Sequence, residues 1–177
     1  MTQVTQDTTV NSEELGGGDG TSEDNLDQIV SFQLGSEEFG LDIMKVQEII
    51  LVGEITKMPQ VPAYVRGMIN LRGHVIPVID LHMRFKQPAV DHSEDQRIIV
   101  VNVANRTIGI VVDAVNKVLR MTPDQIEPAP TGIGSDGQNF ITGLLKIEKK
   151  LVILLDIESL FSEEEQTTLA EVAKAAS

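Results

Sequence analysis

The side chains best suited to chemistry interrupt one apolar stretch, "RGMINLRGHVIPVIDL", which runs from Arg66 to Leu81. Arg72 and His74 stand between two apolar runs, and Asp80 closes the second run. A guanidinium, an imidazole and a carboxylate could serve acid–base catalysis, hold a metal or bind a charged partner. Which of these uses applies depends on the spacing of the groups and on the elements that carry them.

The spacing of the histidines argues against a metal or catalytic site. His74, His82 and His92 are eight and ten residues apart, whereas zinc ligands usually come in closely spaced pairs. The chain has no cysteine, which excludes thiol catalysis, disulfides and Cys-ligated zinc. Neither a G-x-S-x-G motif nor a phosphate loop ending in Gly-Lys-Ser/Thr occurs. We therefore predict surface histidines, no catalytic residue and no metal site.

Charge and hydropathy narrow the class of partner. The 177 residues carry a formal net charge of −13, which repels both the phosphate backbone of nucleic acids and an anionic membrane surface. No window approaches the ~18 consecutive apolar residues needed to span a bilayer. The N-terminus lacks the basic and apolar regions of a secretion signal. We expect a soluble cytoplasmic protein with no nucleic-acid partner and no direct membrane insertion.

The first 27 residues differ in composition from the rest of the chain. Residues 1–27 hold seven acidic residues and no Lys or Arg. They contain Gly16-Gly17-Gly18 and few large apolar side chains, so they have little surface to bury. We interpret residues 1–27 as a disordered acidic leader.

The remainder is an internal repeat. Residues 28–50 align without gaps on 97–119, and residues 64–85 align on 140–161. The two offsets, 69 and 76, differ by the length of a Gly-rich loop at 131–137. The matched pairs include Gly40 and Gly109, Gly67 and Gly143, and Asp80 and Asp156. We infer two copies of one structural unit.

Each copy is predicted to consist of short strands. The predicted elements of copy one are strands over 28–34, 39–43 with a continuation through 46–50, 67–71 and 75–79, and helical turns over 62–66 and 81–85. Short Val-, Ile- and Leu-rich strands of this kind can close a small barrel and leave no free sheet edge. Ser162 and Glu165 form a capping box that predicts an amphipathic helix over 162–177. The fold class is all-β with short helices.

Comparison of the two copies distinguishes residues that the fold requires from candidates for a function. Asp80 and Asp156 occur in both copies and are predicted to cap the helical turns that follow them, while Gly67 and Gly143 are predicted to be backbone stops. Arg72 corresponds to Glu148, so the turn does not require an arginine. Its five donors suit a carboxylate on a partner.

Four stretches of the chain, "FGLDIMKVQEII", "YVRGMINLRGHVIPVIDL", "IGIVVDAVNKVL" and "DQIEPAP", resemble the CheW family of chemotaxis coupling proteins. The resemblance implies two intertwined five-stranded SH3-like barrels over residues 28–161, with repeat one at 28–85, a linker at 86–96 and repeat two at 97–161. It implies a non-catalytic scaffold without a cofactor. The implied partners are the cytoplasmic tips of methyl-accepting chemotaxis receptors and the regulatory domain of the histidine kinase CheA, in arrays beneath the inner membrane.

The family motifs also suggest contact residues. The resemblance implies receptor binding by Val46, Gly67, Arg72, Ile98, Gly109 and Val118. It implies kinase or array contacts by Glu48, Ile126 and Glu127.

Alternative functions fit the sequence to different degrees. A CheW-like module of a different pathway, such as surface motility or second-messenger control, fits the same motifs. A small-barrel nucleic-acid binder needs a basic face and stacking aromatics, which conflicts with the net charge and an aromatic content of 3%. An enzyme needs a catalytic constellation, and the motifs considered above provide none.

Overall fold

The computed structural model describes residues 27–85, 87, 93–128 and 140–176. The strands in this part of the chain are β1 (Asp27–Leu34), β2 (Glu37–Asp42), β3 (Val46–Leu51), β4 (Val65–Leu71), β5 (His74–Asp80), β6 (Arg97–Val103), β7 (Arg106–Val112), β8 (Ala114–Met121), β9 (Ile126–Glu127), β10 (Ile141–Ile147) and β11 (Lys150–Leu155). The α-helices are α1 (Leu81–Arg84) and α2 (Glu163–Ala176), and 3-10 turns cover Ile43–Lys45 and Pro123–Gln125.

The first hairpin of each copy joins the sheet of the other copy. One sheet has the order β3-β6-β7-β5-β4 and the other has the order β8-β1-β2-β11-β10-β9. We call them the first barrel and the second barrel. Two parallel pairings make the exchange, β5 with β7 and β2 with β11. The predicted pair of intertwined SH3-like barrels is therefore confirmed. The second barrel gains the two-residue strand β9, where the first has an isolated bridge between Thr56 and Met68.

The exchange creates one core that both barrels share. Aliphatic residues of β1, β2, β6 and β7 pack there with residues that follow β5 and β11, among them Leu81 and Ile157. Each barrel also has a smaller core of its own. A chain of ring contacts crosses the shared core. The ring centroids are 5.8 Å apart between Phe32 and Phe39, 5.5 Å between Phe39 and Phe85, and 5.1 Å between Phe85 and Phe140.

One strand at each parallel junction carries a glycine that leaves room for an isoleucine of its own hairpin. A Cβ on Gly109 would lie 2.7 Å from Cγ2 of Ile98, and a Cβ on Gly40 would lie 2.6 Å from Cδ1 of Ile29. These glycines pair with Val78 and Leu154 across the two parallel junctions. Their match in the repeat follows from this shared geometry.

Two of the predicted elements are wrong. Strand 39–43 does not continue through 46–50, because Asp42 accepts a hydrogen bond from the Met44 N–H and starts a 3-10 turn. β2 and β3 then enter different sheets. Residues 62–66 form no helical turn but a bend closed by one backbone bond, from the Val65 N–H to the Pro62 carbonyl.

Gly67 and Gly143 do not stop an element. Each lies inside a strand at a register shift, where a Cβ would meet the backbone of a crossing segment. A Cβ on Gly67 would lie 2.4 Å from the carbonyl oxygen of Thr56, and one on Gly143 would lie 2.8 Å from that of Glu127. The prediction that they are backbone stops is therefore corrected: they permit a close crossing of two strands.

The predicted caps are confirmed. Asp80 accepts hydrogen bonds from the first N–H groups of α1, and Asp156 accepts from the Glu158 N–H and the Ser159 hydroxyl. At the start of α2, the Ser162 hydroxyl accepts from the Glu165 N–H at 3.1 Å, and the Glu165 carboxylate accepts from the Ser162 N–H at 2.9 Å. The C-terminal helix begins as its capping box predicts.

His82 contradicts the prediction of surface histidines. It is buried, and its Nε2 lies 2.9 Å from one carboxylate oxygen of Asp113, whose other oxygen accepts from the Gly35 N–H at 2.7 Å. His74 is exposed, as predicted. The carboxylate of Asp113 clasps the end of the first barrel to the β1–β2 turn of the second.

The second barrel has an ion pair near the corresponding position, with the acidic and basic partners exchanged between the two segments. Glu158, which corresponds to His82 in the repeat, forms an ion pair with Lys45, next to the counterpart of Asp113. This pair is on the surface. Only Glu158 has a matching place, because Lys45 corresponds to Ala114, and the contact at Asp113 is the buried one of the two.

Some predicted features lie outside the described residues. They are residues 1–26 of the acidic leader, most of the linker 86–96 including His92, the Gly-rich loop at 131–137 and the end of the helix at Ser177. Asp27, placed at the end of the leader, is the first residue of β1.

Replacing Gly109 with alanine should destabilise the protein. The added methyl must displace Ile98, which is fully buried, and overpacking of this kind costs about 1–3 kcal/mol of unfolding free energy. Gly53→Ala is the matched control, because a Cβ there meets nothing within 4 Å, and it should stay within about 0.5 kcal/mol of the parent. Urea unfolding measures both, and equal midpoints for the two variants would refute the crowding at Gly109.

Removal of the buried clasp should cost more than removal of the exposed one. Asp113→Ala leaves the Gly35 N–H and the His82 Nε2 without their acceptor, which we expect to lower the unfolding free energy by about 1–3 kcal/mol. Glu158→Ala breaks the surface pair and should change it by less than about 1 kcal/mol. Thermal and urea unfolding compare them, and a larger loss in Glu158→Ala would contradict this ranking.

Candidate protein-binding surface

Arg72 and Glu48 form a two-point ion pair. Arg72 lies at the turn between β4 and β5 with φ near 52°, followed by Gly73 at 86°. Its two terminal nitrogens donate to the two carboxylate oxygens of Glu48, with Nη2 to Oε1 at 2.8 Å. A planar fork that meets a carboxylate at two points fixes the orientation of both groups.

The ion pair connects the two outermost strands of the first barrel's sheet. Glu48 belongs to β3 and Arg72 follows β4, the first and last strands of that sheet. Ile50 of β3 and Leu71 beside Arg72 also pack on the same small core. The Arg72 side chain remains 69% exposed while that of Glu48 is 22% exposed. The carboxylate thus orients a guanidinium that still faces solvent.

The pKa values of both groups follow from this contact. The hydrogen bond from Arg72, assisted by its charge, lowers the pKa of Glu48 below its ordinary value. The same bond and the charge of Glu48 raise the pKa of Arg72. At neutral pH both groups are charged. Because the pKa of Glu48 is depressed, the pairing is present at neutral pH and is lost as the pH falls through that lowered value.

Apolar side chains are exposed on the face of β3 opposite to Glu48, and on β8. β3 is an edge strand, and its Ile49 and Leu51 are exposed, the latter by 69%. Met44, in the 3-10 turn that leads into β3, is 84% exposed. Val118 is exposed on β8, the edge strand of the second barrel. Exposed apolar groups on free strand edges are suited to contact with another protein.

Both edge strands begin at the shared core. Val46 at the beginning of β3 and Val115 near the beginning of β8 both pack against the shared core. Each edge therefore extends from the junction of the two barrels. We call the exposed side chains Met44, Ile49, Leu51, Arg72 and Val118 the junction surface.

The structure separates the receptor-binding candidates into exposed and buried residues. Arg72 and Val118 are on the surface, and Val46 is half-buried. Gly67, Ile98 and Gly109 are buried, with Ile98 fully enclosed in the first barrel. These three can affect a partner only through the packing that supports the surface.

The kinase or array candidates lie apart in the fold. Glu48, which is predicted to contact the kinase or the array, pairs with Arg72, which is predicted to bind the receptor. One predicted contact residue therefore orients the other. Ile126 and Glu127 form β9, which ends the second barrel's sheet opposite β8. Glu127 is exposed, and its carboxylate lies 3.3 Å from the Lys146 ammonium.

Met44 and Ile49 are not among the contact residues predicted from the sequence. Leu51 was missed as well. The signal was weak, because "VQEIIL" does not alternate cleanly between apolar and polar residues. Their exposure follows from the position of β3 at a sheet edge, which local sequence does not encode.

Two further properties bear on the class of protein. Within the described ranges, no group of three His, Cys, Asp or Glu side chains is placed to hold a metal ion. Among the helices described, none is long and apolar enough to cross a membrane.

Two barrels with a common core, exposed edge strands and an oriented surface guanidinium define a double-barrel adaptor, a module built to bind other proteins. Comparison with known proteins identifies the family. Residues 28–165 match the CheW-like domain, and the chain belongs to this family.

Individual relatives agree. A chemotaxis protein CheW of Klebsiella aerogenes is 42% identical over 147 residues, covering 83% of this chain and 89% of that protein. The CheW of Treponema pallidum is 37% identical, covering 81% and 86%. The crystal structure of the scaffolding protein TtCheW from Thermoanaerobacter tengcongensis superposes with a TM-score of 0.72 at 40% identity, over 77% of this chain and 92% of that one.

Arg72→Gln should raise the pKa of Glu48. The neutral amide keeps hydrogen-bonding capacity but removes the charge and the two-point geometry that depress this pKa. Carboxyl-detected NMR titration of the parent and the variant measures the shift. An unchanged Glu48 pKa would show that the ion pair is not populated in solution.

Proposed function

We propose that this protein is a non-catalytic scaffold that couples methyl-accepting chemoreceptors to the histidine kinase CheA. Membership of the CheW-like family supports a chemotaxis coupling role, and the relatives are named as chemotaxis and scaffolding proteins. The observation that carries the receptor assignment is the exposed Arg72 guanidinium, oriented by Glu48 of β3, in a barrel whose edge strand β3 also exposes Ile49 and Leu51.

The junction surface is the receptor side of this proposal. An apolar strip with a few charges suits a helical hairpin tip, whose apolar side chains would cover Ile49, Leu51 and Val118 while a carboxylate meets Arg72. Gly67, Ile98 and Gly109 would act by holding the strands below this surface. Such contacts can be weak individually and gain strength through repeated attachment in an array.

The kinase side is proposed to include β9. Ile126 and Glu127 follow β8 after a single 3-10 turn, and Ile126 packs with Leu119 of β8 in the second barrel's own core. The exposed Glu127 would present the kinase contact at this end of the barrel. The proposed location is the receptor array beneath the inner membrane.

Charge exchange between Arg72 and Glu48 tests the receptor contact. Arg72→Glu should weaken binding to a purified receptor cytoplasmic fragment about tenfold, because a like charge then faces the partner's carboxylate. The double variant Glu48→Arg/Arg72→Glu can re-form the internal pair but places the cation on the other strand. It should stay folded with binding still impaired.

Glu148→Arg is the matched control, since Glu148 occupies the equivalent turn of the second barrel, also at positive φ. It should bind the receptor fragment normally. Isothermal titration calorimetry and thermal unfolding read binding and fold separately. Full recovery of receptor binding in the double variant, or normal binding by Arg72→Glu, would show that the ion pair stabilises the fold and does not contact the receptor.

A further inference from the structure

The mouth of the second barrel contains an open cavity of about 330 Å³. Its walls are aliphatic and belong to the barrel interior, with Ile29, Leu41, Leu154 and Ile157 almost fully buried around it. Preformed recesses of roughly 300 Å³ and more with apolar walls and a few polar groups are typical of sites for small molecules.

The rim of this cavity is acidic. Asp27, Asp42 and Asp156 line it, together with a single cation among its lining residues, Lys45. Lys45 is already paired with Glu158, and its pKa is raised by that hydrogen bond and by the charges of Glu158, Asp156 and Asp42. The ammonium group therefore does not neutralise the mouth, which retains an excess of negative charge.

The first barrel shows that this opening is not a requirement of the fold. The position equivalent to Asp42 is Val111, which is buried and packs with Val78 and Ile98 in that barrel's own core. Lys45 is matched by Ala114. In one barrel an aliphatic side chain therefore fills the place where the other has a carboxylate.

We propose that the cavity binds a small organic cation with an apolar body, such as an aryl-alkyl or alkyl ammonium compound. The aliphatic walls would accept the apolar body, and the carboxylates at the mouth would accept the ammonium group. A neutral apolar compound lacks the second interaction, and an anion is repelled by the rim.

This site is distinct from the Arg72–Glu48 pair but connected to the same strand. Asp42 holds the 3-10 turn that leads into β3 by accepting from the Met44 N–H at 2.9 Å. Ile126 of β9 lines the cavity wall. A bound cation would therefore touch segments that lead to the junction surface and to β9, although the binding itself does not depend on the proposed function.

Three probes of similar shape separate the contribution of charge from that of apolar contact: 4-phenylbutylamine, 4-phenylbutanol and 4-phenylbutyrate. Each is titrated into the uniformly ¹⁵N-labelled full-length protein while backbone amide shifts are followed. The amine should bind saturably and at least tenfold more tightly than the carboxylate, with the alcohol between them. The amides of Ile29, Met121 and Leu154 should shift, whereas those of Ile98 and Val78 in the first barrel should not.

Asp42→Asn tests the rim, since its amide oxygen can still accept from the Met44 N–H. It should weaken the amine about fivefold and leave the alcohol unchanged. Glu37→Gln, at the other end of β2, is the control and should alter neither. Equal affinities for the three probes would overturn the proposal. Shifts at these amides only when a purified partner protein is added would also overturn it, and would assign the recess to a side chain of that protein.

Discussion

The structure depends on two parallel strand pairings, β5 with β7 and β2 with β11, by which each copy completes its barrel with the other's first hairpin. A glycine lies at each junction, and a Cβ at Gly40 or Gly109 would overlap a buried isoleucine of the same hairpin, Ile29 or Ile98. The exchange places the aliphatic residues of both hairpins in one core. The two barrels consequently form a single packed unit.

This shared core explains how the protein can present a defined binding surface from sheet edges. β3 and β8 are edge strands of different barrels, yet Val46 and Val115 anchor both to the common core. Glu48 then orients the guanidinium of Arg72 above the exposed edge of β3. An adaptor needs groups held in fixed positions before a partner arrives, since ordering them on binding would reduce affinity.

Local sequence could predict a large part of this arrangement. The β4–β5 hairpin, the caps at Asp80 and Asp156 and the box at Ser162 depend on neighbouring residues, and the repeat itself indicated two copies. The break after Asp42, the burial of His82 and the crossing at Gly67 could not be predicted from the residues. The burial of His82 depends on Asp113, 31 residues away along the chain, and the crossing at Gly67 depends on how the segment at Thr56 folds back onto β4. The turn after Asp42 rests on a local hydrogen bond, but the entry of β2 and β3 into different sheets is a property of the whole fold. For the same reason the exposure of Ile49 and the pairing of Arg72 with Glu48 became evident only in the fold.

The most direct test of the intertwined core is to divide the chain between Ser93 and Glu94 and produce residues 1–93 and 94–177 as separate fragments. The exchange leaves each fragment without the hairpin that completes its barrel. Neither should show cooperative urea unfolding alone, and an equimolar mixture should recover one cooperative transition with both copies ordered. Cooperative unfolding of each isolated fragment, with no change on mixing, would contradict the account and indicate two independent barrels.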